Sequence, residues 1–172
     1  MTGWVLATLL LYVVSFAAYL RNLYAENRVV GLAAGGSPAA GLLLHYFALI
    51  ERAQVLKAVP YEDLWGSLSL FAWLLGATFL GLELVHRGRA VGPFVLPLVI
   101  LLFSLSHFRD VAPHPAPARG TLFALHVTLN ILAYSAFSLA FVLSTVFLIQ
   151  NWLLRRRKPA GMLWRFPPMD VL

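Results

Sequence analysis

Long runs without charged side chains alternate with short charged segments along the whole chain. Five of these runs are long enough, at close to 20 residues or more, for a helix to cross a hydrocarbon core of about 30 Å. They predict membrane spans at residues 3–20, 29–50, 63–84, 90–108 and 121–154. A bilayer core offers no water to backbone amides, and the alternation typical of a membrane barrel does not occur, so the spans should be helices. The pattern predicts an all-α, polytopic integral membrane bundle with about five transmembrane helices.

Composition supports the same class. The chain has 172 residues, of which 60% are hydrophobic and 12% charged, and a soluble domain of this size usually carries about twice that charge. Length and pattern predict one integral membrane domain over residues 1–172. The sequence contains no cysteine, which excludes disulfides, zinc–thiolate sites and dithiol redox chemistry.

The basic residues predict orientation rather than nucleic-acid binding, because they cluster between the apolar runs. With the N-terminus outside, nine lysines and arginines fall on internal segments and four on external ones. This favours an N-out, C-in, multi-pass protein of the plasma (inner) membrane, with an external proline-rich loop at 107–120 and a cytoplasmic basic tail at 155–172. The first span should stay attached as a helix, since no basic residue precedes it and no small-residue cleavage site ends it.

Acidic residues lie near the predicted span ends. Glu62 and Asp63 precede the third span, where helix capping is their default role. Glu83 and Arg87 are four residues apart, in the order that favours a surface ion pair. No carboxylate lies at mid-membrane, as an ion pump requires, and no known catalytic motif occurs. The chain is therefore not predicted to be a self-contained enzyme.

The fifth run is too long for a bilayer, and this draws attention to His126. A helix over residues 121–154 extends about 50 Å, so part of it must project. Arg155 and the basic residues after it hold the inner end. His126 then lies about 43 Å further along the helix, at or beyond the external headgroups. One face continues inward from His126 through Asn130, Tyr134 and Ser138, at intervals of four residues.

An imidazole at the water edge of an apolar groove can bind a metal through one nitrogen while a hydrogen bond fixes the other. Without thiolates, iron in a porphyrin suits such a site better than a bare zinc ion, because the macrocycle supplies four ligands. This makes His126 the candidate haem and metal ligand, and the alternative is a polar stripe that seals a helix bundle. His45, in the second span, is a candidate for function or for a hydrogen-bonded packing role.

Residues 125–137 (LHVTLNILAYSAF), followed by 140–144 (AFVLS) and 150–158 (QNWLLRRRK), resemble the first long helix of the cytochrome c assembly family, of the CcsA or ResC type with its HemX-like relatives. Residues 60–73 (PYEDLWGSLSLFAW) resemble the opening of an earlier span of that family. The resemblance extends from about His45 to the C-terminus and covers an N-terminal portion of such proteins.

The resemblance implies a role in haem delivery or attachment at the external face, with apocytochrome c as a client. It assigns the external axial ligand to His126. Tyr134 is a further candidate haem contact, and Arg119 and Arg109 are candidates for the haem propionates. The family's tryptophan-rich haem segment does not occur among these residues. A partner membrane protein or a second half is therefore expected to supply it, within a cytochrome c synthase or haem lyase assembly.

Two other functions remain open at this stage. HemX-like relatives are associated with control of haem biosynthesis, a role that would use the cytoplasmic basic surface. That surface also suits anionic lipid. The third possibility is a structural membrane subunit that does not bind haem.

Overall fold

The described part of the chain forms five helices, in agreement with the sequence pattern. The computed structural model describes residues 3–24, 28–57, 59, 61–86, 91–108 and 120–155. The helices within these ranges are α1 (Gly3–Tyr24), α2 (Arg28–Leu56), α3 (Leu64–His86), α4 (Gly92–Ser106) and α5 (Thr121–Arg155). The described residues contain no strand. The protein is therefore an all-helical, multi-pass membrane protein.

Four of the helices are long and apolar enough to cross a membrane, whereas α4 is shorter than the span predicted at 90–108. Its 15 residues extend only about 22 Å. Pro93 lies in its first turn, where the missing N–H costs no hydrogen bond, and His107 leaves helical geometry at the other end. The predicted positions 109–119, with most of the external loop, lie outside the described residues.

Helix α2 is longer than the predicted span 29–50, and its C-terminal turns form an ion pair with the segment that begins α3. The guanidinium of Arg52 lies 2.9 Å from Oδ1 of Asp63. The same Oδ1 accepts a hydrogen bond from the backbone N–H of Gly66, which confirms the predicted capping role for Asp63. Lys57 has a positive φ of 52°, the left-handed conformation that commonly ends a helix.

Helices α1 to α4 pack into one bundle, and α5 lies against its outside. Helix α5 packs mainly along α3. Its buried residues form a single narrow stripe: Ser135, Leu139, Val146, Gln150 and Leu153. Most of the other side chains of α5 are exposed or only partly buried, so this helix presents a wide apolar surface.

Near the end of α3, the structure corrects the predicted surface location of Glu83. This residue is only 8% exposed, and its Oε2 accepts a hydrogen bond from the hydroxyl of Tyr19 on α1. It is thus buried between helices. Its predicted partner, Arg87, lies outside the described residues.

The start of α4 depends on a close approach to the ring of Tyr19. A Cβ atom at Gly92 would lie 2.5 Å from Cδ1 of Tyr19, and Tyr19 is fully buried. We predict that Gly92→Ala destabilises the protein by about 1–3 kcal/mol through overpacking. Thermal unfolding in detergent measures this. Gly81→Ala is the matched control because no atom lies within 4 Å of its added Cβ, and equal stability of the two variants would contradict the prediction.

Candidate functional site

His126 lies in the second turn of α5, on an exposed part of the helix. The side-chain amide of Asn130, one turn further on, lies 3.0 Å from Nε2 of His126. Nδ1 of His126 has no hydrogen bond within the described residues. The predicted pairing at an interval of four residues therefore occurs, with one ring nitrogen held and the imidazole accessible.

An apolar groove lies between α3 and α5 and begins at Ile131, directly after Asn130. It has a volume of about 380 Å³ and is lined by Ser67, Leu68, Phe71, Ile131 and Tyr134. Tyr134 lies eight residues after His126, about 12 Å along the helix axis, and its side chain is 63% exposed. On the N-terminal side of His126, the ring of Phe123 contacts Tyr61, with centroids 6.1 Å apart. These rings bring the start of α5 close to the start of α3.

Among the described residues, the polar face of α5 does not seal a helix interface. His126, Asn130 and Tyr134 are exposed, and Ser138 is partly buried. The hydroxyl of Ser138 donates to the carbonyl of Tyr134 on its own helix. Tyr134 borders the groove against α3, whereas no described residue covers His126 and Asn130.

The other predicted contacts of this site cannot be placed. Arg119 and Arg109 lie outside the described residues, as do His114 and the basic residues after Arg155. Among the described residues, no group of three or more histidine, cysteine, aspartate or glutamate side chains is arranged to hold a metal ion.

His45 is the centre of a buried network that joins the first four helices. It is completely buried. Its Nδ1 lies 3.0 Å from the hydroxyl of Tyr12 on α1, and its Nε2 lies 3.0 Å from the hydroxyl of Ser69 on α3. Both ring nitrogens are thus hydrogen-bonded, which favours the packing role for His45 in this conformation.

Helix α4 contributes an aromatic ring to the same network. The ring of Phe103 lies between two imidazoles, with centroids 4.4 Å from His45 and 4.6 Å from His107. Nδ1 of His107 lies 2.9 Å from the carbonyl of Phe103, so the end of α4 fixes this ring. His107, predicted to be a loop residue, instead ends α4 and is partly buried.

The sequence analysis missed the partners of His45, although a signal exists in α1. Thr8, Tyr12, Ser15 and Tyr19 follow one another at intervals of four, three and four residues within an otherwise apolar helix. Such spacing places them on one face. In a membrane helix, a polar face must lie against protein rather than lipid, so this face could have predicted the interior of the bundle.

The fold and the exposed histidine define a class, namely a helical membrane protein with a ligand-accessible imidazole at one end of an over-long helix. Comparison with known proteins identifies the family. Residues 61–169 match the family model for "Cytochrome C assembly protein", which covers α3, α4, α5 and part of the tail. The chain belongs to this family.

The relatives include two proteins named "Protein HemX". The chain is 27% identical over 170 residues to that of Brevibacillus brevis, covering 96% of this chain and 62% of the relative. It is 25% identical over 169 residues to that of Bacillus subtilis (strain 168), covering 96% of this chain and 61% of the relative. The chain thus spans about three fifths of the length of these relatives.

A third relative is "Cytochrome c biogenesis protein CcsA" of Gloeobacter violaceus, with 27% identity over 123 residues, 68% of this chain and 36% of the relative. No solved structure matches the chain. Together the matches support a membrane role in cytochrome c biogenesis or haem handling.

The His45 network predicts a specific stability effect. Tyr12→Phe removes the hydroxyl that bonds Nδ1 of His45 and leaves a buried polar atom without its partner. We expect a loss of about 1–3 kcal/mol in the free energy of unfolding, measured by denaturation in mixed micelles. Tyr46→Phe, at the exposed residue next to His45, should change it by no more than about 0.5 kcal/mol. If both variants lose the same stability, the Tyr12–His45 bond is not a stabilising contact.

Proposed function

We propose that this protein is a haem-handling membrane component of cytochrome c maturation, which holds haem at the external face through His126. The observation that carries the proposal is the pair of His126 and Asn130 at the exposed start of α5. Membership of the cytochrome c assembly family supports a role in cytochrome c maturation.

The residues present fit an axial ligand of haem. The amide of Asn130 can hold either tautomer, because its N–H donates to an unprotonated ring nitrogen and its carbonyl accepts from a protonated one. As placed, Nδ2 of Asn130 lies at Nε2 of His126, where it donates. Turning the amide over would let its carbonyl accept from Nε2–H and would leave the lone pair of Nδ1 available to iron. This is the arrangement in which a second residue orients a metal-binding histidine and raises its basicity.

The groove between α3 and α5 supplies an apolar surface next to this ligand. Phe71 and Ile131 lie in it, and Tyr134 lines it with an exposed ring that ends in a hydroxyl group. A porphyrin has a broad apolar face and a polar, carboxylate-bearing edge, so an apolar surface beside an accessible imidazole matches it. Arg119, which precedes α5 by two residues, is the proposed partner of a propionate. Haem bound there would supply iron redox chemistry and vinyl groups for attachment, while the protein binds and orients it.

The external placement of His126 follows from charge and length. Arg155 ends α5, and three more basic residues follow it directly. Basic residues favour the cytoplasmic side, so the N-terminal end of α5 faces outward. The proposal thus places haem at the plasma membrane, on the side where apocytochrome c is present.

One axial ligand and one apolar groove leave part of the haem uncovered. The exposed apolar surface of α5 supports further membrane protein packed against this helix. We propose that a partner, or a further segment, supplies the tryptophan-rich haem segment and that the assembly attaches haem to apocytochrome c. The lipid bilayer is the remaining partner, along the outer surfaces of α1 to α5.

Regulation of haem biosynthesis is a second candidate function. Both HemX relatives align with 96% of this chain, whereas the CcsA relative aligns with 68%. In this alternative the basic end of α5 and the tail contact a soluble protein in the cytoplasm. A haem-free protein that retains a cytoplasmic enzyme on purification would favour it.

Haem binding by His126 is tested with purified protein in nanodiscs titrated with haemin. We expect a Soret shift typical of histidine ligation in the natural protein. His126→Ala should weaken binding at least about tenfold, the order of effect expected when a metal ligand or its orienting partner is lost. Asn130→Ala should have an intermediate effect, since it removes only the group that orients the ring.

Leu125→Ala is the matched control, because Leu125 is the exposed neighbour of His126 and carries no ligating atom. Added imidazole should restore the histidine-type spectrum of His126→Ala by occupying the vacated position. A spectrum and affinity unchanged in His126→Ala would contradict the proposed ligand.

A further inference from the structure

The first turns of α5 receive little support from close packing. Ser135 is the first buried residue of the helix, and residues 121–134 before it are exposed or only partly buried. They extend about 21 Å along the helix axis. At the inner end of this stretch, the groove lined by Phe71, Ile131 and Tyr134 leaves space between α3 and α5. His126 therefore lies on a segment that needs another contact to hold it in place.

A pair of aromatic rings supplies such a contact near the start of α5. The ring of Phe123 lies edge-on to that of Tyr61, with centroids 6.1 Å apart and an interplanar angle of 62°. This is a geometry that aromatic pairs prefer. Phe123 and His126 are three residues apart, which makes them neighbours on the helix surface. Because one helical turn is rigid, a contact that holds the ring of Phe123 also holds the imidazole of His126.

Tyr61 is itself held by the residues that begin α3. The next residue, Glu62, donates its backbone N–H to the carbonyl of Val59. Asp63 binds the guanidinium of Arg52 on α2, and the two side chains are only 12% and 16% exposed. An ion pair shielded in this way is weakened less by salt than a pair on the surface. The ring of Tyr61 thus stands on a segment fixed to both α2 and α3.

We propose that Tyr61 is a positioning residue of the haem site, whose ring braces Phe123 and so holds His126 where it binds iron. The inference rests on the proposed function, in which His126 is the axial ligand. A ligand that is already held in its bound position loses less freedom on binding, and such preorganisation raises affinity. The brace at Phe123 and the buried stripe from Ser135 onward support α5 on either side of the groove.

Distances between spin labels test the brace in haem-free protein. The chain contains no cysteine, so nitroxide labels can be placed at Leu64→Cys on α3 and Leu125→Cys on α5, both of which are exposed positions. We expect a narrow distance distribution when Tyr61 is present and when Tyr61→Phe keeps the ring. Tyr61→Ala should broaden the distribution. A distribution as narrow in Tyr61→Ala as with Tyr61 present would overturn the proposal.

Tyr46→Ala is the matched control for the label measurement. Tyr46 is a half-exposed tyrosine whose ring contacts Phe47 on α2 and Trp73 on α3, rather than a ring of α5. The substitution should leave the distance distribution unchanged. Broadening equal to that of Tyr61→Ala would show a general loosening of the bundle and would also overturn the proposal.

Haemin titration in nanodiscs tests the consequence for the ligand. Tyr61→Ala should weaken haem binding about threefold to tenfold, the range that one aromatic pair supports, and Tyr61→Phe should restore the affinity. The double variant Tyr61→Ala, Phe123→Ala should bind haem no more weakly than Phe123→Ala alone, because Tyr61 acts through that ring. Unchanged affinity in Tyr61→Ala, or losses that multiply in the double variant, would overturn the positioning role.

The two measurements separate this inference from the proposed function. Haem binding that is unchanged in His126→Ala would contradict the proposed ligand, while the label distances would still decide whether the brace exists. Label distances unchanged in Tyr61→Ala would remove the brace and leave His126 as the haem ligand.

Discussion

The mismatch between α5 and the bilayer is the constraint on which the proposed site depends. The helix has 35 residues and is about 52 Å long, whereas the hydrocarbon core is about 30 Å thick. A moderate tilt removes only part of the difference. We propose that Arg155 and the basic residues after it anchor the inner end of α5, and that the other end, which carries His126, lies at the outer membrane surface. The contact of Phe123 with Tyr61 places the start of α5 beside the start of α3.

The need to bury polar side chains is a second constraint, and it separates the α1–α4 bundle from α5, which lies outside it. Polar side chains in hydrocarbon tend to find partners inside the protein, and Tyr12, Ser69 and Tyr19 do so around His45 and Glu83. Helix α3 belongs to this bundle and is also the main contact of α5. Among the described residues, His126, Asn130 and Tyr134 form a polar face that is exposed. Because this face is exposed, we propose that a ligand or a further protein segment covers it.

The sequence predicts the helices well and their contacts poorly. Uncharged runs identify all five helices, since length and hydropathy dominate in a membrane. Helix α2 continues to Leu56, beyond the predicted span 29–50, where Arg52 pairs with Asp63 of the next segment. The burial of Glu83 is not evident from sequence because its partner Tyr19 is 64 residues away. The interval of four residues does predict the pairing of His126 with Asn130. It does not predict the Tyr12–His45–Ser69 network, because hydropathy carries no information on which helices meet.

The location of residue 126 is the central claim, and the lack of cysteine in the chain allows a direct measurement. Single cysteines are introduced as Leu125→Cys, beside His126, and as Ser144→Cys, about 16 Å from Arg155 along the helix. Intact cells are then treated with a membrane-impermeant maleimide. The account predicts rapid labelling at position 125 and none at position 144. Protection of position 125, or labelling there only after the membrane is opened, would contradict it.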